Sequence, residues 1–373
     1  MKKLTLVAGA VLALVSTTSA MAQSSVTLYG IVDAAVSYTT KQTGGSKTAI
    51  DAGQLATSRW GMRGSEDLGG GLKANFTLES TITNDTGAGG GAFGGGTPAG
   101  TSGASLFDRN ATVGVSGGFG AITLGRQNIL AVDAMAPVDP IGFSQPGINP
   151  NVSFSALNNG AFFSTFGTNG GGAALRQNNS IRYALPVMSG FSGAAMYGFG
   201  EQAGNSSANR YLGLVGSFNA GPITATLGYN QLTNANASAA TTDKITLVGG
   251  GVKYEINNAL AFKATYAQVK NDLAPIGKIS VVGVGVDFLV MPALTLTGAF
   301  YNTKLNDVVD AKAQQFVLKA NYALSKRTSV YTLLTHAKAG STAAADRSLI
   351  PVMTPGVGEN SANRMAIGVL HAF

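Results

Sequence analysis

The feature that most restricts the fold of this chain is an alternation of apolar and polar side chains with a period of two residues. In one segment, one face carries Val282, Val284, Val286 and Phe288, and the other carries Val281, Gly283, Gly285 and Asp287. The pattern returns in residues 223–230, 294–301 and 314–324. Successive side chains of a β-strand point to opposite faces, so the alternation predicts strands with one apolar face. Sixteen such segments can be counted between Val26 and Phe373.

Composition disfavours the main alternatives to a β protein. Charged residues make up 12% of the 373 residues, about half the ~25% of an average soluble domain. The 51 glycines disfavour long helices, because glycine is costly in helix interiors, and the 45% apolar content excludes a disordered chain. The sequence has no cysteine and two histidines, so a disulfide framework, a thiolate metal site and an ordinary enzyme are disfavoured. No cofactor is expected.

Residues 1–22 have the pattern of a signal peptide. Two lysines precede a short apolar segment over residues 4–15, and Ala20 and Ala22 are the small residues expected before a cleavage site. We therefore predict a mature chain of residues 23–373 that is exported from the cytoplasm. After the predicted cleavage site, the longest apolar run has seven residues, far fewer than the ~20 that a transmembrane helix needs.

The connections between the predicted strands are of two kinds that alternate along the chain. Seven are short turns and eight are longer polar stretches, which is the pattern of an up-and-down membrane barrel. A soluble β-sandwich would carry charged residues on its solvent face, whereas the second face here is mainly Gly, Ser, Thr, Asn and Ala. Aromatic residues end the apolar face near the turns, namely Tyr29, Phe76, Tyr183, Tyr254, Phe288 and Tyr322. We predict an all-β fold, a 16-stranded antiparallel transmembrane β-barrel over residues 23–373.

Six short segments, taken in order, form a pattern that is typical of one protein family. They are residues 25–33 (SVTLYGIVD), 58–69 (SRWGMRGSEDLG), 109–115 (RNATVGV), 123–127 (TLGRQ), 179–183 (NSIRY) and 368–373 (GVLHAF). The chain is thus similar to the trimeric general diffusion porins, in a branch whose members often prefer anions. The resemblance implies a homotrimer in the Gram-negative outer membrane that passes small anions and hydrophilic solutes passively, without catalysis. It also implies contact with outer-membrane lipid and lipopolysaccharide, and recognition of Phe373 by the barrel-assembly machinery.

The longest connection, residues 128–177, has no regular pattern and follows the fifth predicted strand. A loop of this length in a compact fold is usually functional or disordered. The resemblance implies that it is the third loop, which folds into the barrel and forms the constriction. Its ionisable residues before the next strand are Asp133 and Asp139, and we expect both at the constriction.

The resemblance also implies a ladder of basic side chains facing this loop, at Arg59, Arg109 and Arg176. The alternation itself places Arg59 on the inner face together with Arg63, because Trp60 and Met62 lie on the other face.

On a later strand, Arg176 and Arg182 are expected to share the inner face, opposite Ile181 and Tyr183. Three lysines further along are also inward by alternation, namely Lys253, Lys263 and Lys319. The basic groups outnumber the two loop carboxylates, and the charges at the narrowest point set the selectivity of a channel. The predicted function is therefore passive diffusion with a preference for anions.

Two other functions remain open from the sequence. A barrel with long loops would also suit an adhesin or binding surface, and a substrate-specific channel is a further alternative. The single tryptophan, Trp60, lies on the outer face and so provides no aromatic lining for a sugar channel. Residues 89–94 match a dinucleotide fingerprint without the flanking strand and helix that it requires. The net charge is spread along the chain, so no nucleic acid partner is expected.

Overall fold

The computed structural model describes residues 25–89, 106–145, 148–155, 175–233, 244–272, 277–306 and 310–373. The predicted signal peptide lies outside these residues. The strands are β1 (Ser25–Gln42), β2 (Gly45–Ala52), β3 (Arg59–Gly69), β4 (Leu72–Thr83), β5 (Ala88–Gly89), β6 (Asn110–Gly117), β7 (Gly120–Asn128), β8 (Arg176–Ala184), β9 (Phe191–Gly198), β10 (Tyr211–Ala220), β11 (Ile223–Thr233), β12 (Lys244–Glu255), β13 (Leu260–Asn271), β14 (Lys278–Met291), β15 (Leu294–Asn306), β16 (Ala311–Ala323), β17 (Thr328–Ala339) and β18 (Ser361–Ala372). The helices are α1 (Leu130–Met135), α2 (Pro150–Ser155) and α3 (Ala344–Ser348).

Sixteen of these strands form one closed antiparallel barrel, which confirms the predicted number. Neighbouring strands of the ring pair with one another, and β1 pairs with β18 to close it. The two strands outside the ring are β2, which pairs with β1 in the first long loop, and the two-residue β5. Both chain ends of the barrel therefore meet at the rim with the short turns. There, the backbone N–H of Phe373 donates to the carbonyl of Gly30 at 3.1 Å, and that of Gly30 donates back at 3.2 Å.

The two faces of each strand differ in the way that the alternation predicted. On β16, Phe316, Leu318 and Tyr322 are exposed on the outside, while Ala313 and Val317 are buried on the inside. Large apolar side chains are exposed around the outer surface, as expected for a barrel whose outside contacts lipid and whose inside is more polar.

Much of the buried apolar cluster lies inside the barrel, where long loops fold against the inner wall. Leu130 and Ile141 of the third long loop belong to the same buried cluster as the wall residue Leu247. Leu349 and Ile350 of the last long loop belong to the same cluster. The lumen is therefore narrowed by loop packing. None of the described helices has the length and apolar character needed to cross a membrane.

Candidate pore constriction

The third long loop connects β7 to β8 and lies against the inner wall of the barrel. The backbone N–H of Leu130 donates to the hydroxyl of Tyr211 on β10 at 2.9 Å, and Thr226 on β11 donates to the carbonyl of Ala134. A Cβ at Gly228 would stand 2.7 Å from the Cβ of Ala134, so a glycine is needed for α1 to approach the wall this closely. The inward-folded third loop predicted from the sequence is thereby confirmed.

Two of the lysines that were expected to project into the lumen are instead bound to this loop. The ammonium groups of Lys263 on β13 and Lys319 on β16 donate to two consecutive loop carbonyls, at 3.4 and 3.0 Å. Lys263 also pairs with Asp287 at 2.7 Å and is 8% exposed. Both side chains point inward as predicted, but loop packing covers them and uses them as anchors, so they add less positive potential to the open lumen than expected. Further on, Thr335 on β17 donates to the side-chain oxygen of Gln145 at 2.8 Å, so the loop crosses the barrel from β10 to β17.

Asp139, which was expected to line the constriction, is fully buried within the loop. Its Oδ1 accepts the backbone N–H groups of Ile141 at 3.1 Å and Phe143 at 2.9 Å and the side-chain amide of Asn149 at 3.0 Å. Its Oδ2 accepts the side-chain amide of Asn151 at 2.8 Å. Several hydrogen bonds together stabilise the negative charge of a carboxylate that has no contact with water. Asp139 therefore shapes the loop and does not face permeating ions.

Asp133 on α1 is partly exposed and paired. Its Oδ2 lies 2.7 Å from a terminal nitrogen of Arg182 on β8. Burial raises the pKa of Asp133, and the charge and hydrogen bond of Arg182 oppose this shift. Asp133 is the one accessible carboxylate in the described part of the loop, and its charge is paired with that of Arg182.

Three arginines gather around a single carboxylate, that of Glu79 on β4. Arg109 donates through Nε to Oε1 at 2.6 Å, and the Nε of Arg59 lies 3.8 Å from Oε2. Arg176 is close enough to both Arg109 and Glu79 to interact with them electrostatically. The hydroxyl of Tyr29 also donates to Oε2, at 3.0 Å. Arg126 and Asp108 also lie within electrostatic range of Arg176, so four positive groups face two negative groups and the cluster has an excess of positive charge.

Arg176 is the buried member of this cluster and is only 7% exposed. Its Nε donates to the backbone carbonyl of Arg109 at 3.0 Å, so it supports the segment that carries that side chain. The unbroken alternation expected from Arg176 to Arg182 is wrong. The pairing of β7 with β8 shifts its register within this stretch, and Asn179 has a φ of +50°.

Arg63 on β3 is the one largely exposed member of the five arginines singled out from the sequence. Its guanidinium carbon stands 5.1 Å from the centroid of the Tyr29 ring, within the range of a cation–π contact. Tyr29 had been expected in the outer aromatic row. It points inward instead, because it lies opposite Gly61, which shares the inner face of β3 with Arg59 and Arg63.

Three inward carboxylates that pair with basic groups, Glu79, Glu255 and Asp287, are absent from the predicted site residues, although the alternation contained the signal for each. Glu79 occupies the inward face opposite Phe76 and Leu78. Glu255 lies two residues after Lys253 and therefore on the same face, and the two form an ion pair at 2.6 Å. Among the residues that the structure describes, no group of three or more His, Asp or Glu side chains is placed to hold a metal ion.

Comparison with known proteins agrees with this geometry. A family model described as Gram-negative porin matches residues 8–341. Outer membrane porin protein 32 of Delftia acidovorans is 35% identical over 383 residues, which cover 100% of each chain. The solved anion-selective porin from Comamonas acidovorans matches with a TM-score of 0.74 and 29% identity, over 94% of this chain and 100% of its own. The trimer form of Vibrio cholerae OmpT matches with a TM-score of 0.63 and 16% identity, over 94% of this chain and 99% of its own. The chain therefore belongs to the Gram-negative porin family and forms a channel for passive diffusion across the outer membrane.

Proposed function

We propose that this porin prefers small anions to cations. The observation that carries the proposal is the cluster in which Arg59 and Arg109 pair with the carboxylate of Glu79 while Arg176 lies within electrostatic range of it, so that positive groups outnumber negative ones. The exposed guanidinium of Arg63 adds a further positive charge on the same side of the lumen. Charges at the narrowest part of a pore select its ions. The solved porin from Comamonas acidovorans is anion-selective, which supports the proposal.

The described part of the third loop does not offset this charge. Asp133 is paired with Arg182, and Asp139 is enclosed by hydrogen-bond donors. A chloride ion in the lumen is therefore attracted by guanidinium groups that lack full compensation, and a potassium ion is repelled by them.

We also propose a homotrimer as the assembled form, with no catalytic step and no cofactor. The trimer form of the related OmpT fold supports this oligomeric state. In this proposal, residues 1–22 are removed on export, and the barrel-assembly machinery reads Phe373, which lies at the meeting point of the two chain ends. Lipopolysaccharide and other outer-membrane lipids contact the apolar outer surface.

The test is the zero-current potential of the purified protein in a planar bilayer under a potassium chloride gradient. A potential set by chloride, with conductance closing in steps of three, supports both the anion preference and the trimer. A potential set by potassium overturns the anion preference and leaves the porin assignment intact. Folded protein without conductance points to the adhesin alternative, and saturable block by one solute points to a substrate-specific channel.

A further inference from the structure

The carboxylate of Asp108 lies beside the arginine cluster, on the segment that leads from the second long loop into β6. Asp108 is 3% exposed and directly precedes Arg109 in the chain. Its Oδ1 accepts the backbone N–H of Thr81 on β4 at 2.7 Å, and its Oδ2 accepts the hydroxyl of the same threonine at 2.6 Å. Both oxygens therefore bind one residue of the wall, and the side chain ties the end of the loop to β4.

The hydrogen bonds from Thr81 to Asp108 begin where strand pairing stops. The ladder between β4 and β6 ends at Glu79 and Asn110, so Thr81, two residues further along β4, has no partner residue on β6. Thr81 is 2% exposed, and a buried backbone N–H needs an acceptor. The carboxylate of Asp108 supplies this acceptor in place of the backbone carbonyl that a longer strand would provide.

Asp108 is connected to each of the three arginines that surround Glu79. Arg109 is the next residue of the chain. Thr81, which Asp108 binds, stands directly opposite Arg59 in the pairing of β3 with β4. The carboxylate of Asp108 also lies within electrostatic range of Arg176. The place of this one side chain therefore bears on where all three guanidinium groups lie.

A further contact holds the backbone of Asp108. The Nε of Arg126 on β7 donates to the carbonyl of Asp108 at 2.6 Å, and a terminal nitrogen of the same guanidinium donates to the side-chain oxygen of Asn178 on β8. The positive charge of Arg126 also attracts the carboxylate of Asp108. Asp108 is therefore held through its side chain by β4 and through its carbonyl by β7, with its position fixed from two strands.

These contacts fix the backbone from which Arg109 reaches the lumen. The Nε of Arg109 donates to Oε1 of Glu79 at 2.6 Å, and the carbonyl of Arg109 accepts the Nε of Arg176 at 3.0 Å. Glu79 belongs to β4, whereas Arg109 lies just before the first residue of β6. Without the contacts of Asp108, the end of the loop would carry Arg109 away from the constriction, while the strand would keep Glu79 in place. The positive excess at the constriction would then fall.

The charge of Asp108 and its hydrogen bonds affect ion selection in opposite directions. A carboxylate near the pore attracts cations and repels anions, so by charge alone a neutral side chain at this position would strengthen an anion preference. The hydrogen bonds instead keep Arg109 at the constriction, where a positive charge has its largest effect on passing ions. Two neutral side chains, one that keeps the hydrogen bonds and one that loses them, therefore separate the two effects.

We propose that Asp108 is a positioning residue of the channel, which holds Arg109 at the constriction through Thr81 and thereby sets the ratio of anion to cation permeability. This proposal rests on the proposed anion preference. The test is the zero-current potential of the folded full-length protein under a potassium chloride gradient, for Asp108→Asn and Asp108→Ala. Both variants remove the same charge, but asparagine keeps an acceptor for the N–H of Thr81. We expect the ratio of chloride to potassium permeability to be about threefold lower in Asp108→Ala than in Asp108→Asn.

Equal ratios in the two Asp108 variants overturn the proposal, as does a higher ratio in Asp108→Ala. If Asp108→Ala does not fold, Thr81→Val and Thr81→Ser give the comparison without a change of charge, since only serine keeps the hydroxyl that donates to Oδ2. The ratio should then be lower in Thr81→Val, and equal ratios again overturn the proposal.

The control Asp85→Ala removes an exposed carboxylate from the same loop and should keep the potential of the unchanged protein. A control that shifts as far as Asp108→Ala also overturns the positioning role. A potential set by potassium in the unchanged protein refutes the proposed anion preference, whereas the difference between Asp108→Asn and Asp108→Ala still measures the positioning effect. Failure of the one is therefore distinguishable from failure of the other.

Discussion

Replacing Arg63 by glutamine should lower the anion preference more cleanly than any other single change in the lumen. Its guanidinium is exposed and contacts the Tyr29 ring. None of the described carboxylates forms an ion pair with it. An ion passing about 7 Å away in a water-filled pore interacts with one unit charge by about 0.6 kcal/mol. Anion and cation feel opposite signs, so the permeability ratio changes by twice this free energy. We expect the ratio of chloride to potassium permeability to fall about eightfold.

The assay is the zero-current potential under a potassium chloride gradient, at low ionic strength to limit screening. Arg327→Gln is the matched control, since it removes the same charge from the exposed turn between β16 and β17. The control should retain the original potential, and the effect of Arg63→Gln should shrink as salt is raised. If Arg63→Gln shifts the permeability ratio less than twofold in a channel of normal conductance, the arginines do not control ion selection and the reasoning is refuted.

Three further changes test the loop and the closing strand. Asp139→Asn places an amide donor against N–H donors, so we expect a local loss of about 1–3 kcal/mol, seen as faster proteolysis within the third loop and noisier single-channel current; a loop that stays as resistant as before contradicts the role of this carboxylate. Gly228→Val should push α1 into the lumen and lower single-channel conductance, while Gly216→Val, where a Cβ meets no atom within 4 Å, should leave conductance unchanged. Phe373→Ala should reduce the fraction of heat-modifiable, folded barrel in outer membranes, and normal assembly would show that the terminal ring is dispensable.

The strands were predictable because their signal is local. A period of two is visible along β14 and β16 without knowledge of any partner strand, and the turns and loops fall between such segments. The same parity separates inward from outward side chains along β14 and β16, whereas an aromatic residue type is misleading at Tyr29, which faces the lumen. It fails near Arg176, where the register shift between β7 and β8 and the positive φ of Asn179 break the count. Bulges of this kind depend on the neighbouring strand and leave no clear trace in the sequence.

The electrostatic state of the constriction was less predictable than its position. A sequence shows that Asp139 lies in the loop, but the four loop donors and the Tyr301 hydroxyl that stabilise its buried carboxylate come together only in the folded barrel. Likewise, Lys319 has inward parity in the sequence, yet whether it contacts water or a loop carbonyl depends on where the loop packs. Glu79 has inward parity in the sequence, so the alternation alone contained the signal for this lumen carboxylate.

The closing pair of strands has a consequence for how the molecule forms. Ile31 pairs with Ala372, a separation of 341 residues (372 minus 31), whereas the other ring strands pair with their sequence neighbours. Joining the ends of a chain segment that long costs about 5 kcal/mol in loop entropy. Until that contact is made, β1 and β18 are open edges whose N–H and C=O groups have no partner, which hydrocarbon does not tolerate. We therefore expect the hairpins to assemble early and the ring to close last, with the two edges held away from lipid until the final strand is in register.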